Sequence, residues 1–139
     1  MMGPLYDSGL RESLRVLIVD DYADAADSLA SLTRLWGYQC WVALTAQEAL
    51  RLAAEHRPNA VILDLNLPDL SGWDLAVKLR SQADGDGLLI LAVTGLALAS
   101  DFERSRRAGC DLHMLKPADP NDIRRLLADH HARRKRHEA

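Results

Sequence analysis

The chain has 139 residues, 48% of them hydrophobic and 27% charged, with a formal net charge of −3. That length suits one domain with a real core, and the acidic balance argues against a nucleic-acid binder that works through its overall field. No apolar run approaches the roughly 20 residues of a membrane span, and the start "MMGPLYDSGLRESLR" lacks the basic-then-apolar pattern of a signal peptide, which points to the cytoplasm.

Short apolar runs alternate with helix-period segments. "RVLIVD" (15–20) predicts a strand, and Ala25, Leu29, Leu32 and Trp36 then recur at helical spacing until Gly37. "CWVAL" (40–44) predicts the second strand, with Cys40 packed as a small hydrophobe; Cys110 lies far away with no CxxC spacing, which argues against a disulfide framework or a zinc site. "TAQE" reads as a capping box from Thr45 to Glu48, opening a helix that ends before Pro58. "AVILD" (60–64) is the third strand, and the helix after Gly72 sets Leu75, Ala76 and Leu79 on one side. "DGDG" (84–87) resembles the opening of a calcium loop but lacks the acidic ligands that would follow, and it is read as a turn. "LLILAVT" (88–94) is followed by "SDFERSRRAG", a capping box from Ser100 to Glu103 whose core residues are only Phe102 and Ala108, so this helix is expected to be loosely held. "LHMLK" (112–116) precedes a last helix with Asp119 as N-cap, Pro120 in its first position and Ile123, Leu126 and Leu127 as its buried stripe. "HHARRKRHEA" is expected to be a frayed, solvated helix end, and Trp36, Trp41 and Trp73 to be core or half-buried packing. The expected organisation is an N-terminal extension (1–13), one domain (14–130) and a charged tail (131–139).

Five βα units predict an α/β fold, a doubly wound parallel sheet covered on both faces. Ligands in such folds bind beyond the carboxyl ends of the strands. Strand one ends in Asp20 and Asp21, strand three in Asp64, strand four in Thr94 and Gly95, and strand five in Lys116 and Pro117. An apolar strand that ends on a bare carboxylate needs a reason, because a carboxylate is costly to desolvate unless it is paired or bound to metal. Two carboxylates 4 Å apart repel by about 4 kcal/mol at an effective dielectric near 20. One lysine cannot balance three of them, so either protons are retained or a divalent cation binds. Oxygen ligands without histidine or cysteine favour Mg²⁺ or Mn²⁺. A carboxylate, a metal, a hydroxyl and a lysine on one rim suit phosphoryl transfer, with Asp64 as the nucleophile.

In order and spacing, "LIVDD", "VILDLNLP", "VTG" and "LHMLKP" resemble the receiver domain of two-component response regulators over about residues 14 to 130. The resemblance implies a flavodoxin-like sheet of order 2-1-3-4-5. It implies that Asp64 accepts the phosphoryl group, with Asp21 as direct metal ligand, Asp20 acting through water, and Asn66 contributing its backbone carbonyl. It further implies that Thr94 and Lys116 grip the phosphoryl oxygens, aided by the N–H groups of Leu65 and Gly95, and that the Lys116–Pro117 bond is cis. The implied partners are a sensor histidine kinase or phosphotransfer protein, docking on the first helix, and a downstream protein reading the fourth helix, fifth strand and fifth helix. Neither nucleic acid nor membrane is expected as a direct partner, and a phosphorylation-dependent dimer is compatible with the family. The fold consumes the chain, so a stand-alone regulator or a receiver from a hybrid kinase is expected, the Met-Met start leaning towards the former.

One position departs from the family. Three residues before the lysine, where Tyr or Phe is usual, stands His113, read either as a partly exposed strand histidine or as a polar switch. Asn66 and Leu96 flank the place where family members tune dephosphorylation. Two rivals remain: a degenerate receiver used as a binding module, and a phosphatase resembling the haloacid dehalogenase type. The latter needs an acid–base Asp two residues after the nucleophile, and Asn66 cannot do that work.

Overall fold

The structure, a computed structural model, describes residues 13–82, 87–95 and 99–138. It alternates β1 (Arg15–Val19), α1 (Ala23–Leu35), β2 (Gln39–Ala43), α2 (Ala46–His56), β3 (Ala60–Asp64), α3 (Gly72–Gln82), β4 (Leu89–Thr94), α4 (Ala99–Ala108), β5 (Leu112–Leu115) and α5 (Pro120–Glu138). The five strands are parallel, as the βα alternation predicts, and run in the order β2-β1-β3-β4-β5, as the family resemblance implies. Alternation along the strands divides the core. Leu17, Val19, Val61, Leu63, Ile90 and Ala92 pack with α2 and α3 on one face, while Val16, Ile18, Ala60, Ile62 and Leu91 pack with α1 and α5 on the other. No helix among the described residues is long and apolar enough to cross a membrane.

Several local details differ from the sequence reading. The buried stripe of α1 is Ala26, Ala30 and Thr33, one residue on from Ala25, which is exposed. Small residues let α1 lie close to the sheet, and the Thr33 hydroxyl is satisfied by donating to Leu29 O at 2.8 Å. Helix α4 starts at Ala99, so Ser100 lies inside it and does not cap it. Phe102 is 40% exposed and stacks on His113 with ring centroids 4.2 Å apart, while the residue that α4 buries is Ser105. Strand β5 is an edge strand, with Leu112 and Leu115 largely exposed, and is not covered on both faces. His130 belongs to the domain and not to a solvated run: it is 9% exposed, and its Nε2 lies 3.1 Å from both Asn59 O and Gly87 O. The charged residues beyond it continue as the last turns of α5.

The other caps follow ordinary rules. Thr45 Oγ1 accepts from Glu48 N at 3.1 Å, and the Asp119 carboxylate accepts from Asn121 N at 2.9 Å ahead of Pro120. Ser71 Oγ accepts from Asp74 N and caps α3. One cap comes from elsewhere in the chain: Asp69, after β3, accepts from Ala46 N and Gln47 N at 2.9 and 3.0 Å, tying its loop to the start of α2. These two N–H groups hold the Asp69 carboxyl below its usual range.

Candidate functional site

Register brings the strand ends level. Asp64 lies opposite Val93, so Thr94 is one step further along β4, and Leu115 lies opposite Thr94, so Lys116 follows immediately. The Lys116 N–H donates to Thr94 O at 2.8 Å, which fixes where the lysine leaves the strand, and the Lys116–Pro117 peptide is cis.

The carboxylates of Asp20, Asp21 and Asp64 each offer an oxygen, and these atoms lie within 4.8 Å of one another. Asp64 is buried, Asp20 half-buried and Asp21 exposed. Lys116 Nζ donates to Asp64 Oδ2 at 2.8 Å and lies 3.5 Å from Asp20 Oδ2. Burial alone would depress the lysine, but the hydrogen bond and charge of Asp64, with Asp20 behind them, outweigh it and hold Lys116 above its ordinary value. The lysine is therefore a full positive charge at neutral pH. The second oxygen of Asp64 accepts from Asn66 N at 3.0 Å, and Asp20 Oδ1 accepts from Tyr22 N at 3.0 Å, which aligns it at the entry to α1.

Thr94 is buried at the end of β4, Leu65 is buried beside Asp64, and Gly95 and Asn66 are exposed on the rim. Leu96 lies outside the described residues. The fold thus brings Asp20, Asp21, Asp64 and Lys116 together, with Thr94 at the end of the neighbouring strand. Three carboxylate oxygens with no nitrogen or sulfur ligand among them fit a hard divalent cation such as Mg²⁺, and one ammonium leaves negative charge for it to neutralise. Both cysteines are free and buried far from such chemistry, each thiol pushed up to about 11 by burial.

Two features escaped the sequence reading. A Cβ on Gly72 would stand 2.5 Å from Leu65 Cα and 2.7 Å from Asp64 O, so only glycine lets α3 begin against the backbone of the acidic strand end. Glycine after a Pro-containing loop signals a turn, and nothing local signals this close approach. The second is a polar link behind the rim. Trp73 Nε1 donates to Ser105 Oγ at 2.8 Å, and Ser105 Oγ lies 2.8 Å from His113 Nδ1. The link joins α3, α4 and β5, the Arg104 guanidinium lies 4.1 Å above the Trp73 ring, and His113 Nε2 is buried without a hydrogen-bond partner. His113 is thus half-buried and held at one nitrogen, which the sequence left open between two readings.

A family model of the response regulator receiver domain matches residues 16–128. The transcriptional regulatory protein PrrA of Mycobacterium tuberculosis is 37% identical over 111 residues, which are 80% of this chain and 46% of PrrA. The polar-differentiation response regulator DivK of Brucella anthropi is 33% identical over 102 residues, 73% of this chain and 83% of DivK. The chain therefore spans about half of one relative and most of the other. Among solved structures, a CheY-like receiver domain protein from Methanospirillum hungatei superposes with a TM-score of 0.83 at 29% identity, over 90% of this chain and 98% of that one. A response regulator from Burkholderia pseudomallei, described with a phosphorylated aspartic acid, a calcium ion and citrate, gives a TM-score of 0.77 at 28% identity, over 91% and 74% of the two chains.

Proposed function

The chain belongs to the response regulator receiver domain family of two-component signalling, and on that premise we propose that it takes a phosphoryl group from a phosphohistidine onto Asp64. The observation that carries this reading is the setting of Asp64: a buried carboxylate at a strand end, paired to Lys116 and lying within 4.8 Å of two further carboxylates. The Burkholderia relative, with its phosphorylated aspartic acid and calcium ion, supports both the acyl phosphate and a divalent cation at this rim.

In the proposed step an oxygen of Asp64 attacks phosphorus in line, the P–O bond forms as the P–N bond to the donor imidazole breaks, and the imidazole leaves with the electron pair. Asp20, Asp21, Asp64 and the Asn66 carbonyl would hold Mg²⁺, with Mn²⁺ as substitute. The cation, when bound, neutralises charge on the phosphoryl oxygens. Lys116 leaves its ion pair with Asp64 to face the transferred group, and the N–H groups of Leu65 and Gly95 would donate to it. The Thr94 hydroxyl then turns to the phosphoryl oxygens, and the space it vacates is offered to His113.

A switch of this kind is a population shift between two packed arrangements. The polar link from Trp73 through Ser105 to His113 supports α4 and β5 as the moving part, since it ties both to α3 behind the rim. Exposed Phe102, Leu112 and Leu115 on those elements support a partner surface there, completed by α5. The phosphodonor, a histidine kinase or phosphotransfer protein, would dock against α1, and a dimer formed on phosphorylation would use the α4–β5–α5 face. On this reading the protein works in the cytoplasm.

The test is intact mass after incubation with Mg²⁺ and acetyl phosphate. One added phosphoryl group is expected, lost on chelation and in Asp64→Asn. Persistence of the added mass in Asp64→Asn would assign the acceptor elsewhere. An unmodified parent that also binds no Mg²⁺ would favour a phosphorylation-independent binding module.

A further inference from the structure

Ser105 is the residue that α4 buries, and its hydroxyl oxygen lies 2.8 Å from Trp73 Nε1 and 2.8 Å from His113 Nδ1. The chemistry of the three groups fixes the direction of both bonds. An indole N–H can only donate, so Ser105 Oγ accepts from Trp73. The hydroxyl proton then goes to its other partner, and Ser105 donates to His113 Nδ1. That nitrogen is therefore the bare one, and the ring proton sits on Nε2. Nε2 is buried and has no hydrogen-bond partner among the described residues. A buried donor without an acceptor is costly and needs a reason.

An acceptor stands on the neighbouring strand. His113 lies opposite Ala92, and Thr94 follows two residues on, on the same face of β4. At a strand spacing of about 4.8 Å and a rise of about 3.3 Å per residue, the Cα atoms of such a pair are roughly 8 Å apart. An imidazole and a hydroxyl can bridge that distance. Resting on the phosphorylation of Asp64 proposed above, we infer that the phosphoryl group completes a one-way chain of hydrogen bonds. Trp73 donates to Ser105, Ser105 to His113 Nδ1, His113 Nε2–H to Thr94 Oγ1, and Thr94 to a phosphoryl oxygen. A Thr94 hydroxyl that turns to the phosphoryl group gives its proton there and keeps lone pairs with which to accept from His113.

Three features suit such a chain. Every donor in it points the same way, so each bond polarises the next and the positive end faces the new charge. The Arg104 guanidinium lies 4.1 Å above the Trp73 ring, at the tail of the chain, where a cation meets the negative end of the aligned dipoles. Phe102 stacks on the imidazole with ring centroids 4.2 Å apart, so the ring is held at its edge by Ser105 and across its face by Phe102. Ser105 is thus a positioning residue. It reaches the phosphoryl group only through two other side chains, and acts by deciding which nitrogen of His113 carries the proton. The Tyr or Phe usual at this position has no ring nitrogen for a serine to hold, so the link belongs to this chain.

The test is isotope-edited NMR of the histidine ring nitrogens, on the full chain with Mg²⁺ in mildly alkaline buffer, before and after addition of acetyl phosphate. Intact mass is taken on the same samples, and His113 is assigned by the signal lost in His113→Asn. His113 Nδ1 is expected to carry no proton in either state. On phosphorylation the Nε2–H proton should move downfield and its exchange with solvent should slow about tenfold, the effect of one new buried hydrogen bond. Ser105→Ala should still gain one phosphoryl group by mass, while the Nε2–H of His113 and the indole N–H of Trp73 lose their response to it. A proton on Nδ1 would reverse the chain and overturn the inference. So would an unmoved Nε2–H in protein whose mass shows the phosphoryl group, or a response in Ser105→Ala equal to that of the parent. A parent that gains no mass would count instead against the phosphorylation of Asp64, and the chain would fall with it.

Discussion

A neutral His130 is the natural source of the domain's pH sensitivity in mildly acid solution. Burial pushes its imidazole below the ordinary 6.5, outweighing the carbonyls of Asn59 and Gly87, and Arg134 adds to the effect. Where the folded value lies below the unfolded one, the unfolded chain binds the extra proton. Stability is then whole above about 6.5 and drains as pH falls towards the folded value. Melting temperature should therefore fall between about pH 7 and pH 5, and His130→Gln should flatten that slope. Parallel slopes in the two proteins would remove His130 from the account. Asp69 titrates in another window, since its carboxyl is lowered from 3.8 and contributes only at stronger acidity. The sequence places His130 at the head of a charged run, where nothing local distinguishes a core histidine from a solvated one. Asp20, Asp21, Asp64, Thr94 and Lys116 were legible because each stands where an apolar run stops, a signal that needs no tertiary knowledge.

Among the elements, α3 depends most on a single atom's absence. It begins at Gly72, whose N–H donates to Leu65 O at 2.9 Å, and the missing Cβ admits the backbone of residues 64 and 65. Gly72→Ala should cost about 1–3 kcal/mol through overpacking, read by chemical denaturation, and should lower phosphorylation of Asp64 by displacing its strand end. Unchanged stability would mean that α3 can back away without loss. Arg80, at the other end of α3, donates to Gly109 O and Leu88 O and pairs with Asp111 at 2.8 Å, so α3 is pinned at both ends while α4 buries only a serine. Element order and type were readable from period alone. The α1 stripe was caught in part: Leu29 and Trp36 do pack against the core, while Ala26 and Ala30 escaped because alanine is weakly apolar and can stand on either side of a helix edge. Ser105 was missed because a lone serine in "FERSRRA" reads as solvated, and only Trp73, far off in sequence, gives it a buried partner.

At the scale of the whole molecule, a cation at the acidic rim would link fold and ligand. Anything that binds the folded state alone stabilises it by RT ln(1 + [L]/Kd), about 2.7 kcal/mol at a hundredfold excess over Kd. Mg²⁺ at fixed ionic strength should therefore raise the melting temperature, and Asp21→Asn should abolish most of that rise. A melting temperature indifferent to Mg²⁺ in the parent would count against the metal role of this cluster. The parallel sheet was legible from the βα alternation, and its strand order only through the family resemblance. A cavity at the far end of the sheet, lined by Arg15, Arg57 and Arg134 among others, draws on α2, β1, α3 and α5 and has no contiguous trace in the sequence.

Among the described residues the two ends also differ in sign. Acidic groups gather beyond the strand termini and guanidinium groups beneath their origins. Five strand residues separate them in β1, roughly 17 Å at 3.3 Å per residue. The screening length at physiological ionic strength is about 8 Å. Exposed Asp21 and exposed Arg57 are thus electrically deaf to one another in the cell. Any message between the poles has to travel as displacement along β1, β3 and β4, whose side chains are almost wholly buried and have little room to yield.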